Sequence, residues 1–276
     1  MHIVNLVENT PGAPVCMKAH GLSLWVENCR HRLLMYFGPY DAAVRNAGIL
    51  SIDLSTAEMA FLSHGHYDHS DGLSSFASVN ATAPVYLRPE AVGSYYSGSA
   101  EMGTLHYIGM NPSLAAFSRF NFQEAGYWKL DEELSVFSGV SGRRHWPESN
   151  LRLSVQTGER LEQDSFAHEQ YLVIKEESST VLLSGCAHNG ILNILDRFRE
   201  LYGGCPTHVI SGFHMMKSAP YTDKEKETIR SIARELCSLP CLFYTCHCTG
   251  PEAYDMMKEI MGDQLRYFPT GGELIL

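Results

Sequence analysis

Ser63-His64-Gly65-His66-Tyr67-Asp68-His69-Ser70-Asp71-Gly72 follows the apolar run Ala60-Phe61-Leu62 and carries three histidines and an aspartate within six residues. In extended backbone His64 and His66, two apart, face one side, so both imidazoles can reach one metal ion. Asp68 and His69 come where the chain turns towards a helix, which lets an oxygen and a third imidazole face a neighbouring position. One loop thus offers four ligands for two adjacent cations, and imidazole with carboxylate is a donor set for divalent first-row metals. The bland alternative is a solvated polar loop, but His-x-His-x-Asp-His has few structural uses apart from ligation.

Outward from this loop the chain reads as alternating short strands and helices. Ahead of it, Ile3 to Val7, Leu22 to Val26, Leu33 to Phe37 and Met59 to Leu62 are apolar runs bounded by turn residues, which predicts strands. Behind it the pattern predicts a short helix over Asp71 to Val79, a strand over Pro84 to Leu87 and a helical turn or two over Pro89 to Tyr96. Residues 97 to 150 mix Gly, Ser, Asn and aromatic residues without clear period, the mark of an insertion or lid that shapes a pocket. Strands at Leu151 to Val155, Gln170 to Ile174 and Val181 to Ser184 come next. A helix capped by Asn189 runs to Leu201, a strand covers Thr207 to Ile210, and an amphipathic helix extends from Asp223 to about Leu239. Leu242 to Tyr244, a helix begun by Thr249 and Pro251 and ending near Gly262, and a strand at Glu273 to Leu276 complete an α/β layered fold.

Length and composition set the limits. At about 150 residues per domain, 276 residues give one or two domains, and the expectation is one domain over 1–276 with its insertion at about 97–150. With 45% hydrophobic and 19% charged residues the chain is neither disordered nor fibrous. A formal charge of −10 and the lack of a basic arm exclude a non-specific nucleic-acid binder. No apolar run approaches the roughly 18 residues of a membrane span, and Met1 to Gly12 lacks the basic start of a signal peptide, so a cytoplasmic protein with no membrane partner is expected. The eight cysteines show no paired zinc-finger spacing and read mostly as reduced thiols.

The His-x-His-x-Asp-His loop after a strand resembles the metallo-β-lactamase fold superfamily. Leu6 to Thr10, His20 to Ser23, Gly185 to His188, Gly212 to His214 and Cys246 to Gly250 resemble the branch named for 7,8-dihydropterin-6-methyl-4-(β-D-ribofuranosyl)aminobenzene-5′-phosphate synthase. This resemblance implies a four-layer αββα sandwich with one or two Zn, Fe or Mn ions. Zinc is the expected identity of two divalent ions, and the chemistry is hydrolysis or transfer on a small phosphate-bearing or ester substrate. His64, His66 and His188 are then ligands of one metal, with Asp68, His69 and His247 facing the other. Cys186, where many relatives have a bridging Asp, is either a thiolate ligand or a buried small residue. Asp68 and His214 are the catalytic candidates, His214 also reading as a metal ligand or a structural histidine. Glu8, Asn9 and His20 are candidate substrate contacts at the rim. His2, His31, His106, His145, His168 and His208 have no such setting and read as surface or core residues.

One departure stands out. The superfamily carries a Phe-Asp-Thr-Gly-like turn ahead of the main motif, and here the segment is Met35-Tyr36-Phe37-Gly38-Pro39. That Asp supports the metal loop from behind, and such partners matter about ten- to a hundredfold in affinity or activity. A metal-binding protein with little activity is therefore the competing expectation. Oligomeric state is not legible.

Overall fold

The computed structural model describes residues 1–99 and 101–276; Ala100, within the 97–150 stretch, lies outside the described residues. The chain forms two compact units, one of Met1–Ala125, Leu151–Gln170 and Pro269–Leu276, the other of Gly126–Asn150 and Tyr171–Phe268.

In the first unit a seven-stranded sheet runs in the order Glu273–Ile275, His2–Val7, Ser23–Glu27, Arg32–Met35, Met59–Phe61, Val85–Leu87, Phe120–Phe122. The first four of these pair antiparallel, and from Arg32–Met35 onwards every pairing is parallel. A parallel neighbour needs a crossover, supplied by the helices Ala42–Ile49 and Leu73–Val79. Their apolar faces bury Ala43, Ala47, Leu73 and Phe76 with Leu34, Leu62 and Leu87 in one core. A smaller sheet pairs Tyr95–Ser97 with His106–Tyr107 on one side and Leu153–Thr157 on the other. The helical turn expected over Pro89 to Tyr96 stops at Val92, because Tyr95 and Tyr96 pair with a strand nearly sixty residues later, which local periodicity cannot reveal.

In the second unit the sheet order is Leu265–Tyr267, Leu242–Thr245, His208–Ser211, Ser179–Ser184, Gln170–Glu176, Leu134–Ser138, Tyr127–Lys129. The first four strands are parallel. Helices Ile191–Tyr202, Asp223–Cys237 and Pro251–Met261 cross between them. Helix Asp223–Cys237 starts with a capping box, Thr222 accepting from the Glu225 N–H and Glu225 from the Thr222 N–H. It buries Ile229, Ile232, Ala233 and Leu236, the i, i+3, i+4, i+7 stripe of an amphipathic helix. The expected cap at Asn189 is corrected: Gly190, at φ 85°, is the N-cap residue, and the Asn189 amide instead donates to the Tyr171 hydroxyl inside the unit. The strands His106–Tyr107, Phe120–Phe122, Tyr127–Lys129 and Leu134–Ser138 lie in the stretch that showed no period: the first three are too short and mostly too exposed to produce one, and the last is buried at every residue and so shows no alternation. Among the described residues, no helix is long and apolar enough to cross a membrane.

In both units the candidate ligands sit just past the carboxyl ends of parallel strands, where α/β sheets hold their functional loops.

Candidate metal centre

The loop after Met59–Phe61 is held from several directions. Ser63, 2% exposed, hydrogen-bonds His64 Nδ1 at 2.8 Å, so Nε2 is the ring nitrogen of His64 that could hold a cation. Gly65 is obligatory: a Cβ there would lie 2.0 Å from the Ala91 carbonyl oxygen. His66 is extended (φ −83°, ψ 147°) and precedes the one-turn helix Tyr67–Ser70, its carbonyl accepting from the Ser70 hydroxyl at 2.9 Å. The ring centroids of His64 and His66 lie 4.6 Å apart, and those of His64 and His69 lie 4.4 Å apart. His64 and His69 are fully buried, and His66 and Asp68 nearly so. Packing three imidazoles and a carboxylate this closely, out of water, fits a cation-binding donor set.

Asp68 is braced by its neighbours in space. Asp68 Oδ2 lies 3.6 Å from His20 Nε2 and 3.6 Å from His69 Nε2. The Asn9 amide nitrogen faces His20 Nδ1 at 3.3 Å while its oxygen accepts from the Gly21 N–H, so Asn9 orients His20 and His20 orients Asp68. Glu8 is fully buried and accepts from the backbone N–H and hydroxyl of Thr10. Charge repulsion from Asp68 adds to burial in raising the Asp71 carboxyl above its ordinary range. Tyr36, at the position of the missing Asp, is fully buried at φ 62° and meets the His69 ring edge-on at 5.3 Å. The backbone there still supports the loop, Phe37 N–H donating to the His69 carbonyl at 2.8 Å.

A further support was not legible in the sequence. His168, fully buried, accepts the Gly65 N–H on Nδ1 at 2.9 Å, which leaves Nε2–H to meet Asp164 Oδ2 at 3.2 Å. Its ring stacks on Tyr95 at 4.1 Å between centroids. Burial opposes the charge on Asp164, but the His168 ring and the Phe166 N–H outweigh it and hold the carboxyl below its ordinary range. Burial, reinforced by Asp164 and Glu90, keeps the Tyr95 phenol protonated. One ligand atom from each of His66, Asp164 and His168 lies within 4.8 Å of the others.

In the second unit Cys186 and His188 follow Ser179–Ser184, His214 follows His208–Ser211 and His247 follows Leu242–Thr245. Cys186, His188 and His247 are buried, and one ligand atom from each of Cys186, His188 and His214 lies within 4.8 Å of the others. The rings of His188 and His214 are 4.0 Å apart. Ala187, His214 and His247 all have positive φ, a strained conformation that concentrates at functional sites. Close packing forbids a side chain at Gly212, where a Cβ would lie 2.4 Å from Cys248 Sγ. Asn150, fully buried, grips His188 twice: its amide donates to the His188 carbonyl at 2.7 Å and its oxygen faces Nδ1 at 3.0 Å. That fixes the tautomer with the proton on Nδ1, which makes Nε2 the acceptor nitrogen, the one able to ligate a cation. Replacing Asn150 with Ala is expected to weaken metal binding about ten- to a hundredfold, read by chelator competition; unchanged affinity would show that His188 needs no such partner.

No family model matches the chain. Over 261 residues, covering 87% of this chain and 84% of its relative, it is 25% identical to the 7,8-dihydropterin-6-methyl-4-(β-D-ribofuranosyl)-aminobenzene-5′-phosphate synthase of Methanocaldococcus jannaschii. Among solved structures it aligns with Tm1679, a metal-dependent hydrolase of the β-lactamase superfamily, at a TM-score of 0.82 and 28% identity, covering 100% of this chain and 99% of that one. A diphosphatase from the PhnP family aligns at a TM-score of 0.53 and 14% identity, covering 100% and 97%.

Proposed function

The chain has the metallo-β-lactamase fold, and we propose that it is a metal-dependent hydrolase or transferase acting on a small phosphate-bearing or ester substrate. The observation that carries this reading is the His-x-His-x-Asp-His loop, buried and braced through Ser63, Asn9 with His20, and His168 with Asp164. His64, His66, Asp68 and His69 are the proposed ligands from the first unit, and His188, His247 and Cys186 those from the second. A thiolate at Cys186 favours zinc, with iron or manganese as alternatives. Two divalent ions, when bound, supply Lewis acidity and a water molecule ionised near neutral pH.

The residues of the chain do the rest. Asn150 holds His188 in one tautomer, and Ser63 orients the His64 ring. His20 and His69 hold the Asp68 carboxylate, which orients the attacking water. His214, beside His188, hydrogen-bonds or protonates the leaving oxygen. Residues 145–149, from the stretch expected to be a lid, border the substrate. The synthase relative and the diphosphatase both carry phosphate chemistry in their names, which supports a phosphate-bearing substrate.

Purified protein is expected to hold two equivalents of metal and to turn over bis(4-nitrophenyl) phosphate or 4-nitrophenyl acetate, with chelation removing the activity and zinc or manganese restoring it. Absence of metal after remetallation overturns the reading. Full metal content without turnover would favour the second reading, an inactive metal-binding protein, which the Tyr36 substitution motivates.

A further inference from the structure

The second unit carries a cleft, open to solvent, whose wall includes Trp146, Ile191, Phe213, Tyr221, Ile229 and Ile232. His214 also lines it, and the His214 ring stands 4.0 Å from that of the proposed ligand His188. Hydrogen bonds tie this stretch to the histidines: Ser149 Oγ, on the wall, donates to the His214 carbonyl at 3.1 Å, and the neighbouring Asn150 grips His188. A group seated in the cleft therefore lies at a set place relative to the reacting end of the unit.

The polar groups on the wall are already engaged. Glu148 is paired with Lys224 at 2.6 Å, Glu225 with Lys217 at 2.7 Å, and His145 meets Glu235 at 3.3 Å. Hydrogen bonds from Lys217 and Thr222 hold the Glu225 carboxyl down at about 2, so the Glu225–Lys217 pair stays ionised at working pH. Among the described residues, no lysine or arginine lines the cleft. A phosphate or carboxylate entering it would find both carboxylates already paired with lysines and no further lysine or arginine on the wall, whereas an aromatic or branched aliphatic group would meet rings and isoleucines.

Resting on the hydrolase reading, we propose that this cleft takes the uncharged apolar part of the substrate, an aryl group or one of similar bulk, while the anionic or ester end lies on the far side of His214. The cleft would then decide which esters or phosphoesters are turned over, and small alkyl esters lacking such a group would be poor substrates.

The test uses the full chain freed of metal, with 1-naphthol as the probe. Saturable quenching of Trp146 fluorescence is expected, absent in Trp146→Phe, which retains Trp25 and Trp128. Thr228→Trp, which fills the half-exposed side of the cleft, is expected to weaken naphthol binding by at least about tenfold. On the metal-loaded enzyme the same substitution is expected to raise KM for the naphthyl ester of acetic acid by a similar factor relative to KM for methyl acetate. Should Thr228→Trp fail to fold, the Trp146→Phe comparison decides alone. Quenching that persists in Trp146→Phe, no quenching at all, or displacement of naphthol by inorganic phosphate overturns the proposal. Because naphthol binding needs neither metal nor turnover, an inert protein that binds naphthol overturns only the hydrolase reading, and an active one that does not overturns only the cleft.

Discussion

Replacing His66 with alanine is expected to lower turnover by more than about a hundredfold, and to reduce the metal retained by the purified protein. Loss of a partner behind a metal ligand costs about ten- to a hundredfold, and loss of the donor itself exceeds that range. The fold should survive, because what His66 contributes to its surroundings beyond the ring is backbone. Its carbonyl receives the Ser70 hydroxyl and the His69 N–H, and its φ and ψ suit any residue. Compared without metal, the variant and the parent chain should therefore melt within about 2–8 °C of each other, the span for 1–2 kcal/mol at this size. A variant that keeps both metals and more than a tenth of the turnover would remove His66 from the site. A metal-free variant that unfolds outright would instead make the residue structural.

His168→Leu is expected to be the more damaging change to stability. It strips Asp164, 3% exposed, of the ring N–H that meets its carboxylate and leaves the Gly65 N–H without its acceptor. Breaking a buried pair by removing one member costs about 3–5 kcal/mol. At about 2–4 °C per kcal/mol for a large domain, the Tm should fall by roughly 6–20 °C. The paired variant Asp164→Leu with His168→Leu should recover much of that loss, since an apolar pair leaves no uncompensated charge. It should not recover metal affinity, because Gly65 still lacks the bond that fixes the loop between His64 and His66. Equal stability of His168→Leu and the parent chain would rule out this support, and a double variant with restored affinity would make it dispensable to the metal.

The strand-then-helix setting of the loop was legible because everything it needs is local: the apolar run, the alternation that puts His64 and His66 on one side, and the helical stretch expected from Asp71, found at Leu73–Val79 after a separate single turn at Tyr67–Ser70 that the sequence did not show. The strands before His188 and His247 were legible for the same reason, as runs of Val, Leu, Phe and Tyr. The braces were not. Gly65 and His168 are 103 residues apart, and Asn150 and His188 are 38 apart. Neither pair leaves a period or a motif, so His168 read as an ordinary surface or core histidine. The missing Asp at Tyr36 was visible as a departure, but its replacement by a ring edge against His69 was not.

Ligand identity, ligand spacing and the α/β alternation are short-range properties of this chain, and the amino-acid order by itself determined them through side-chain chemistry and backbone period. Which imidazole nitrogen is left for a metal, what holds the loop still and what the cleft beside His214 can accept were decided only by the tertiary structure. A hydrogen bond that sets a tautomer, like a wall made from four separate segments, exists only once distant residues have been packed against one another.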